Sequence, residues 1–327
     1  MLRSMTDLCL RFQIWAGSDG PWNFELFSGK DLDRFTEGTT REYLQRELRV
    51  ATDNEAPIVA LLGISTFPYF ISMLGLSRLG YALLILSPRL STEAFVRLLD
   101  KTSCQTVVHM PQYLSAVEKM REHRNIESYF VLERSAFDGV HNVTTGRLNL
   151  DLNRTVAGQR IAYIMHSSGS TGLPKPIFQT HQACLENFEN GNGLKGFSTA
   201  RCIILSALLV FRTMSKRGIL YMYDHILPLI SRHLLEAMEV VKPEIFFGVP
   251  YALKLLAESE KGIETLAACE SIIVSEGILS YAQLKQGQEK LSQLGRFENG
   301  KYYAADGSEP KDGFEALREY YNGRRLE

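Results

Sequence analysis

The stretch with the clearest chemical potential is residues 163–176, which read YIMHSSGSTGLPKP. Gly169 and Gly172 let the backbone turn tightly and come close to a ligand, because glycine has no Cβ. Serine and threonine hydroxyls stand beside them, so O–H donors accompany successive backbone N–H groups, as in loops that bind anions. Lys175 follows, and its ammonium supplies the point charge that a polyphosphate needs. The spacing predicts a phosphate-binding loop.

Other loop types fit this stretch less well. The Walker A motif requires four residues between its glycines and then Gly-Lys-Ser/Thr, whereas here Pro174 and Pro176 enclose Lys175. The residues after the lysine have the character of a strand, and a P-loop enters a helix. We also do not expect the G-x-G-x-x-G fingerprint of dinucleotide-binding folds anywhere in the chain. The non-functional interpretation of this stretch is a flexible Ser/Gly hairpin. The lysine between two prolines argues against that interpretation.

The elements that must position this loop are predicted from hydrophobic patterning. Residues 56–77 carry no charge over 22 positions, long enough to span a bilayer. Pro68 and small polar residues interrupt this stretch. They leave a strand over 58–62, a helix over 69–79 and a strand over 81–86. Because parallel strands buried on both faces are continuous apolar runs, a strand-helix-strand unit is favoured over a membrane segment.

The same alternation continues along the chain, at the spacing that crossover connections require. Further helices are predicted over 92–100, 113–122, 180–189, 227–241, 250–258 and 281–294, and further strands over 106–109, 129–132, 161–165, 177–179, 245–248 and 271–274. Apolar stretches over 203–211 and 219–223 stand between them, and residues 137–159 have the composition of a connecting stretch. The pattern predicts an α/β fold with a parallel sheet.

The composition is that of a globular protein, with 45% hydrophobic and 22% charged residues. The net charge of −1 gives no general attraction to nucleic acid or to an anionic membrane, so any polyanion must be held locally. The five cysteines are scattered singly without a C-x-x-C pair, which argues against a disulfide framework and a zinc site. Residues 1–17 make a poor secretory signal. We expect a cytoplasmic protein that binds neither nucleic acid nor membrane.

Residues 166–175 and the Thr-His pair that follows at 180–181 resemble the phosphate-binding signature of the adenylate-forming (AMP-binding) enzymes. This superfamily includes acyl-CoA synthetases, luciferases and adenylation domains of nonribosomal peptide synthetases. With residues 79–91 (LGYALLILSPRLS) and 31–36 (DLDRFT), the chain is most similar to the fungal synthetase-like subgroup. The resemblance covers about residues 22–275. It implies the parallel-sheet-rich large N-terminal subdomain of such an enzyme, incomplete and without the small C-terminal domain.

The resemblance also implies an activity. A substrate carboxylate would attack the α-phosphate of ATP bound with Mg²⁺, giving an acyl-adenylate and pyrophosphate, in secondary metabolism. A thiol of coenzyme A, or of the phosphopantetheine on a carrier protein, would then take the acyl group. Lys175 is the implied catalytic residue, because it would neutralise charge on the departing pyrophosphate. The implied nucleotide-binding residues are His166, Ser167, Ser168, Gly169, Ser170, Thr171, Gly172 and Lys175.

Two features of the family are absent from the sequence. Where relatives carry a Pro- and His-containing segment, this chain has SALLVFR at 206–212. The later aromatic-Gly-x-Thr-Glu motif, whose Thr and Glu hold phosphate and magnesium, does not occur, so no metal ligand is predicted. Three hypotheses stay open: an active ligase, an inactive homologue that keeps the fold and at most binds nucleotide, and a gene model that omits coding segments. We predict a partial adenylation domain over 1–275 and a polar tail without strand character over 276–327.

Overall fold

The structure is a computed structural model. It describes residues 9–14, 23–52, 57–139, 154–167, 173–189, 195–199, 218–223, 227–274, 277–280, 295–298, 301–304 and 311–312. The chain divides into two compact units. The first comprises residues 1–8, 27–192 and 201–215, and the second comprises residues 9–26, 193–200 and 216–327.

Within the described residues the elements follow one another in an alternating order. The strands are β1 (Cys9–Ile14), β2 (Asn23–Ser28), β3 (Ile58–Leu62), β4 (Ala82–Leu86), β5 (Thr106–His109), β6 (Glu127–Phe130), β7 (Ile161–Ser167), β8 (Lys175–Thr180), β9 (Lys195–Ser198), β10 (Ile219–Met222), β11 (Ile245–Gly248), β12 (Ser271–Val274), β13 (Gly277–Ser280), β14 (Gly295–Glu298), β15 (Lys301–Ala304) and β16 (Lys311–Asp312). The helices are α1 (Gly29–Gln45), α2 (Phe67–Arg78), α3 (Thr92–Lys101), α4 (Leu114–Arg121), α5 (Arg134–Asp138), α6 (Arg154–Gln159), α7 (His181–Glu189), α8 (Ser231–Val241), α9 (Pro250–Ala257) and α10 (Glu260–Ala267). A single 3₁₀ turn, Pro111–Tyr113, precedes α4.

The described strands of the first unit form one sheet in the order β6-β5-β3-β4-β7-β8. All neighbours are parallel except β7 and β8, which are antiparallel. Val59 and Leu61 are as fully buried as Ala60 and Leu62, although side chains alternate between the two faces of a strand. Such a strand needs a layer on each face. Helices α3 and α4 pack with Ala60 and Leu62 on one face, while α2 contacts β4 and packs against α1.

Helix α1 is not covered by any of the predicted elements. It begins with a capping box, in which the Ser28 side chain accepts from the Asp31 amide at 3.2 Å and the Asp31 carboxylate accepts from the Ser28 amide at 2.8 Å. The helix buries polar side chains, which hides it from a search for apolar periodicity. The guanidinium of Arg78 in α2 forms ion pairs with Asp33 and Glu37 of α1. The helix is therefore fixed by partners distant in sequence.

The second unit has its own sheet. Its described strands lie in the order β13-β12-β11-β9-β10-β1-β2. The pairs β1–β10, β10–β9, β9–β11 and β11–β12 are parallel. Phe197 of β9 and Phe246 of β11 stack with centroids 6.2 Å apart, and Leu234 of α8 and Leu256 of α9 join the same buried cluster. The unit is a second α/β layer structure with a separate core.

The predicted α/β fold with a parallel sheet is confirmed. The strands over 58–62, 106–109, 245–248 and 271–274 have the predicted bounds. Strand β6 begins and ends two residues before the predicted strand at 129–132. Part of the predicted connecting stretch is helical, in α5 and α6. Within residues 57–77 the chain forms strand β3 and most of helix α2. No described helix meets the length and apolarity that a bilayer crossing requires.

The prediction that strand character ends at residue 276 is wrong. Strand β13 pairs antiparallel with β12, from Ser271 opposite Ser280 to Val274 opposite Gly277, and β14, β15 and β16 form a further antiparallel sheet. Their sequences, GILS, GRFE, KYYA and KD, contain glycine and polar residues, so a criterion based on apolar runs does not detect them. The predicted helix at 281–294 and the stretch at 203–211 lie outside the described residues. The domain boundary at 275/276 stays a prediction.

Candidate functional site

The predicted phosphate-binding loop connects β7 to β8, which pair as an antiparallel hairpin. The register places Ser167 opposite Lys175, so residues 168–174 are the connection between the two strands. Lys175 is the first residue of β8 and its side chain is exposed. Five of the predicted nucleotide-binding residues lie outside the described part of the chain: Ser168, Gly169, Ser170, Thr171 and Gly172. The hairpin brings the remaining three, His166, Ser167 and Lys175, to one end of the sheet.

The hairpin turn stands at the carboxyl edge of the sheet, where β4 and β7 are parallel neighbours through Leu83–Tyr163 and Leu84–Ile164. After β4 the chain passes through α3 to β5, which lies beyond β3, whereas after β7 it turns back to β8 on the other side. Strands whose continuations leave in opposite directions open a crevice at their carboxyl ends. Open α/β sheets bind ligands in such crevices. The topology therefore gives the loop the position expected of a ligand site.

A side-chain hydrogen bond spans the ends of these two strands. The backbone N–H of Ser87, immediately after β4, donates to Nε2 of His166 at 3.2 Å. The two residues are 79 positions apart in sequence. His166 is half-buried. A ring nitrogen that accepts a hydrogen bond carries no proton, so the neutral imidazole has its proton on Nδ1.

The turn after β4 adds a cation to this edge that motif analysis does not identify as functional. Arg89 is exposed, and its amide donates to the Ser87 side-chain oxygen at 3.4 Å. Ser91 ends the turn by capping α3, because its side chain accepts from the Ala94 amide at 3.3 Å. The available signal is position: residues that directly follow a buried parallel strand lie at the ligand-binding edge of a sheet.

A second pair of strands also diverges at this edge, but protein atoms fill the space between them. Strand β3 leads towards β4 and β5 leads towards β6, in opposite directions. The Met110 amide donates to the Leu62 carbonyl at 3.0 Å, and the Met110 sulfur accepts from the Ile64 amide at 3.4 Å. A Cβ on Gly63 would come within 2.6 Å of Tyr69 and 2.9 Å of Met110. The carboxyl ends of β4 and β7, next to the hairpin, are therefore the better candidate position.

A polar cavity of about 290 Å³ lies at the opposite edge of the same sheet. It is lined by Glu47, Leu48, Arg49, Pro57, Ile58, Tyr81, Ser103, Gln105, Thr106, Asn125, Glu127 and Tyr129. Ile58 and Thr106 begin β3 and β5, so the cavity is at the amino ends of the strands. It is therefore separate from the hairpin, which lies at the carboxyl edge.

The described cysteines do not supply a nucleophile. Cys104, Cys184 and Cys269 are free and buried. Burial raises the pKa of the Cys104 and Cys184 thiols to about 11 and that of Cys269 to about 12. At neutral pH all three are protonated, and the thiol is much less reactive than the thiolate.

Three histidines outside the hairpin, among the described residues, have identified surroundings: His109, His181 and His233. His109 ends β5, and its Nδ1 lies 3.0 Å from the Met110 carbonyl oxygen, while burial lowers its pKa. Burial and then the nearby Arg160 lower the pKa of His181 at the start of α7. Nδ1 of His233 lies 3.2 Å from the Pro228 carbonyl oxygen. The described residues contain no group of three or more His, Cys, Asp or Glu side chains that could hold a metal ion.

A glycine motif that we did not expect lies beyond the hairpin. Residues 191–196 read GNGLKG, which matches G-x-G-x-x-G, so the expectation that this pattern is absent from the chain is wrong. The dinucleotide fingerprint requires the glycines to follow a strand and open a helix. Here they follow helix α7 and lead into strand β9. The order of elements is reversed, and the match has no dinucleotide-binding context.

Comparison with known proteins identifies a family and several relatives. A family model described as AMP-binding enzyme matches residues 44–293. An adenylate-forming reductase of Aspergillus terreus is 28% identical over 269 residues, covering 75% of this chain and 25% of the reductase. A 4-chlorobenzoate–CoA ligase of an Arthrobacter species is 30% identical over 131 residues, covering 38% of this chain and 23% of the ligase. The matched regions make up about a quarter of the length of these relatives.

Solved structures share the fold. The N-terminal subdomain of Klebsiella oxytoca NpsA, in complex with 3-hydroxybenzoyl-AMSN, matches with a TM-score of 0.61 at 16% identity, over 83% of this chain and 63% of that one. The amide bond synthetase McbA of Marinactinospora thermotolerans matches with a TM-score of 0.63 at 15% identity, over 84% of this chain and 52% of that one. At these identities the likeness concerns the α/β fold with its mainly parallel sheet.

Proposed function

Because the chain belongs to the AMP-binding enzyme family, whose model matches residues 44–293, we propose that it binds ATP on the β7–β8 hairpin and activates a carboxylic acid as the acyl-adenylate. The acid is a small organic molecule of secondary metabolism. The observation that supports the proposal is the position of the Ser167–Lys175 pair, at the carboxyl edge of a mainly parallel sheet beside the end of β4. Named relatives act in the same way on their own substrates, as adenylate-forming reductases and CoA ligases.

In the proposed reaction a carboxylate oxygen of the acid attacks the α-phosphorus of ATP. The new bond joins that oxygen to phosphorus, the bond from the α-phosphorus to the bridging oxygen breaks, and pyrophosphate leaves with the electron pair. Negative charge therefore grows on the departing phosphates. Lys175 stands at the end of the turn with an exposed ammonium, where it would stabilise that charge. Ser167, Ser168, Gly169, Ser170, Thr171 and Gly172 would hold the same phosphates through hydroxyl and backbone N–H donors.

Magnesium and the acyl acceptor are the other participants in the family reaction. The described residues contain no group of three or more His, Cys, Asp or Glu side chains that could hold a metal ion, and no magnesium ligand is assigned. The acyl acceptor would be the thiol of coenzyme A or of phosphopantetheine on a carrier protein. The proposed location is the cytoplasm, and neither nucleic acid nor membrane is a proposed partner.

A second candidate function is nucleotide binding without turnover. The observation that favours it is the absence, in all 327 residues, of the aromatic-Gly-x-Thr-Glu motif that holds phosphate and magnesium in relatives. On this hypothesis the hairpin still binds ATP, because its loop and Lys175 are intact. The acid is not adenylated, because charge on the triphosphate is incompletely balanced.

One experiment separates the two candidates. The protein is assayed for carboxylate-dependent exchange of labelled pyrophosphate into ATP over a panel of aryl, α-keto and fatty acids, with ATP binding measured by calorimetry. An active ligase gives exchange with at least one acid, and Lys175→Ala reduces it by about 100-fold or more, the scale of losing one transition-state charge partner. Lys119→Ala, which removes an exposed lysine of α4, is the matched control and keeps the wild-type rate. ATP binding without exchange for any acid selects the second candidate, and no ATP binding refutes both.

A further inference from the structure

The base of the hairpin is held by a contact that no sequence motif describes. Beyond the ladder pairs Leu83–Tyr163 and Leu84–Ile164, strands β4 and β7 run on towards different destinations. At this point the Ser87 amide donates to Nε2 of His166. The imidazole takes the place of a backbone carbonyl as the acceptor, so the two strands remain tied together where their backbones begin to separate.

The orientation of the ring argues against a direct role in holding phosphate. Nε2 is engaged with the Ser87 amide, and Nδ1 is buried in the protein. Ser167, the next residue along β7, is directly opposite Lys175 across the hairpin. A displacement of His166 therefore moves the last described residue pair of the hairpin, which includes Lys175. Charge stabilisation depends on placing a donor within a few tenths of an ångström, so such a displacement weakens phosphate binding without removing any phosphate ligand.

We propose that His166 is a positioning residue, whose Nε2 accepts a hydrogen bond from the Ser87 amide and thereby fixes the base of the hairpin, so that Lys175 is presented to ATP in a single geometry. This inference rests on the proposed ATP binding. It reassigns His166 from the phosphate-binding set that the family signature implies to the support of that set. The neutral ring acts only as an acceptor, and no proton transfer is involved.

The test changes the acceptor and the donor separately. His166→Gln keeps an acceptor oxygen near the position of Nε2, whereas His166→Met keeps the approximate volume without an acceptor of comparable strength. Ser87→Pro removes the donating N–H, and Leu86 tolerates a following proline because it is in an extended strand. Ser87→Ala removes the hydroxyl but leaves the amide. Each variant is characterised by its melting temperature, by calorimetric titration with ATP, and by amide hydrogen exchange without nucleotide.

The proposal expects a specific pattern. His166→Met and Ser87→Pro weaken ATP binding about 2- to 10-fold, the range for one net hydrogen bond, while His166→Gln and Ser87→Ala stay within about 2-fold of wild type. In the absence of ATP, exchange of the Ser87 amide is faster in His166→Met by a similar factor, and it is near the wild-type rate in His166→Gln. Equal losses in His166→Gln and His166→Met would overturn the proposal, because the ring would then act through its shape.

The exchange measurement separates this inference from the proposed function. If the wild-type protein does not bind ATP, the proposed function fails, but faster Ser87 exchange in His166→Met still establishes the tie between the strands. If ATP binds and Ser87 exchange is the same in all His166 variants, the positioning role is refuted while the proposed function stands. Should His166→Met not fold, the ATP affinity of Ser87→Pro tests the positioning role from the donor side, because that variant has no amide hydrogen at residue 87. Wild-type affinity in Ser87→Pro would then refute the positioning role.

Discussion

The ion pairs between α1 and α2 allow a stability prediction with a magnitude drawn from the geometry. Arg78 contacts Asp33 at 2.5 Å and Glu37 at 3.1 Å, and both carboxylate side chains are 10% exposed. Glu37 also accepts from Arg41 at 2.9 Å. The substitution Arg78→Met keeps much of the apolar stem of the arginine and removes its charge. It leaves two carboxylates one helical turn apart without the guanidinium between them.

The expected loss follows from these contacts. A hydrogen bond to a charged group contributes about 1.5–3 kcal/mol. Arg78→Met removes two such bonds to carboxylates and a longer one, 3.5 Å, to the Asp33 carbonyl. Glu37 keeps its contact with Arg41, which reduces its share, whereas Asp33 loses a short charge-assisted bond. We therefore expect the free energy of unfolding to fall by about 3 kcal/mol, at the lower end of the range for breaking a buried ion pair. Urea titration followed by circular dichroism at 222 nm measures it.

Two further sets of substitutions serve as controls for Arg78→Met. Arg46→Met removes the same side chain from an exposed pair with Glu42, at 3.4 Å, and is expected to change stability by less than about 0.5 kcal/mol. Adding Asp33→Asn and Glu37→Gln to Arg78→Met restores part of the loss, because amides need no counter-charge. If Arg78→Met loses less than about 1 kcal/mol, or no more than Arg46→Met, then the pairing does not fix α1 on α2.

Two further predictions concern the cation beside the hairpin and the buried thiols. Arg89→Ala is expected to weaken ATP binding about 2- to 5-fold at low salt and less at high salt, because an exposed charge near an anion is screened by salt. The control Arg97→Ala, on α3, is expected to leave the calorimetric affinity unchanged. Equal effects of the two substitutions would show that Arg89 is not part of the site. Burial raises the pKa of Cys104 to about 11, so the folded chain holds that proton from about pH 8.5, the ordinary thiol value, up to about pH 11 while the unfolded chain releases it. The free energy of unfolding of the wild-type protein is therefore expected to fall as pH rises through that window. In urea titrations between pH 7.5 and 10, the free energy of unfolding of Cys104→Ala is expected to fall less. Parallel curves for the two proteins would contradict this.

Apolar runs predicted part of the fold well. Residues 58–62 and 106–109 are short apolar stretches bounded by turns, and both are strands with the predicted limits. The pattern was less informative for β6, because Val131 and Leu132 are buried just beyond the end of that strand and displaced the prediction by two residues. Burial is the property that the sequence pattern reports. Where a buried residue lies outside a strand, the pattern places the strand wrongly.

Helix α1 shows why other elements could not be predicted in this way. Thr36, Thr39 and Thr40 are buried in it although their side chains are polar. The Thr36 hydroxyl donates to the Leu32 carbonyl at 2.6 Å, so the helix itself satisfies the polar atom. Asp33 and Glu37 are buried because Arg78 arrives from α2. The polar residue types of α1 predict solvent exposure. The structure shows them buried because partners, in the helix itself or elsewhere in the chain, satisfy their polar groups.

The sequence by itself determined the family and the loop. The order of glycines, hydroxyls and lysine over 163–176 is a local property, because the turn uses neighbouring residues, and it could be interpreted without a fold. Only the tertiary structure decided what supports the loop. The bond from the Ser87 amide to His166 joins residues 79 positions apart. It exists because the parallel sheet places the ends of β4 and β7 side by side, which is a consequence of strand order and not of any local pattern.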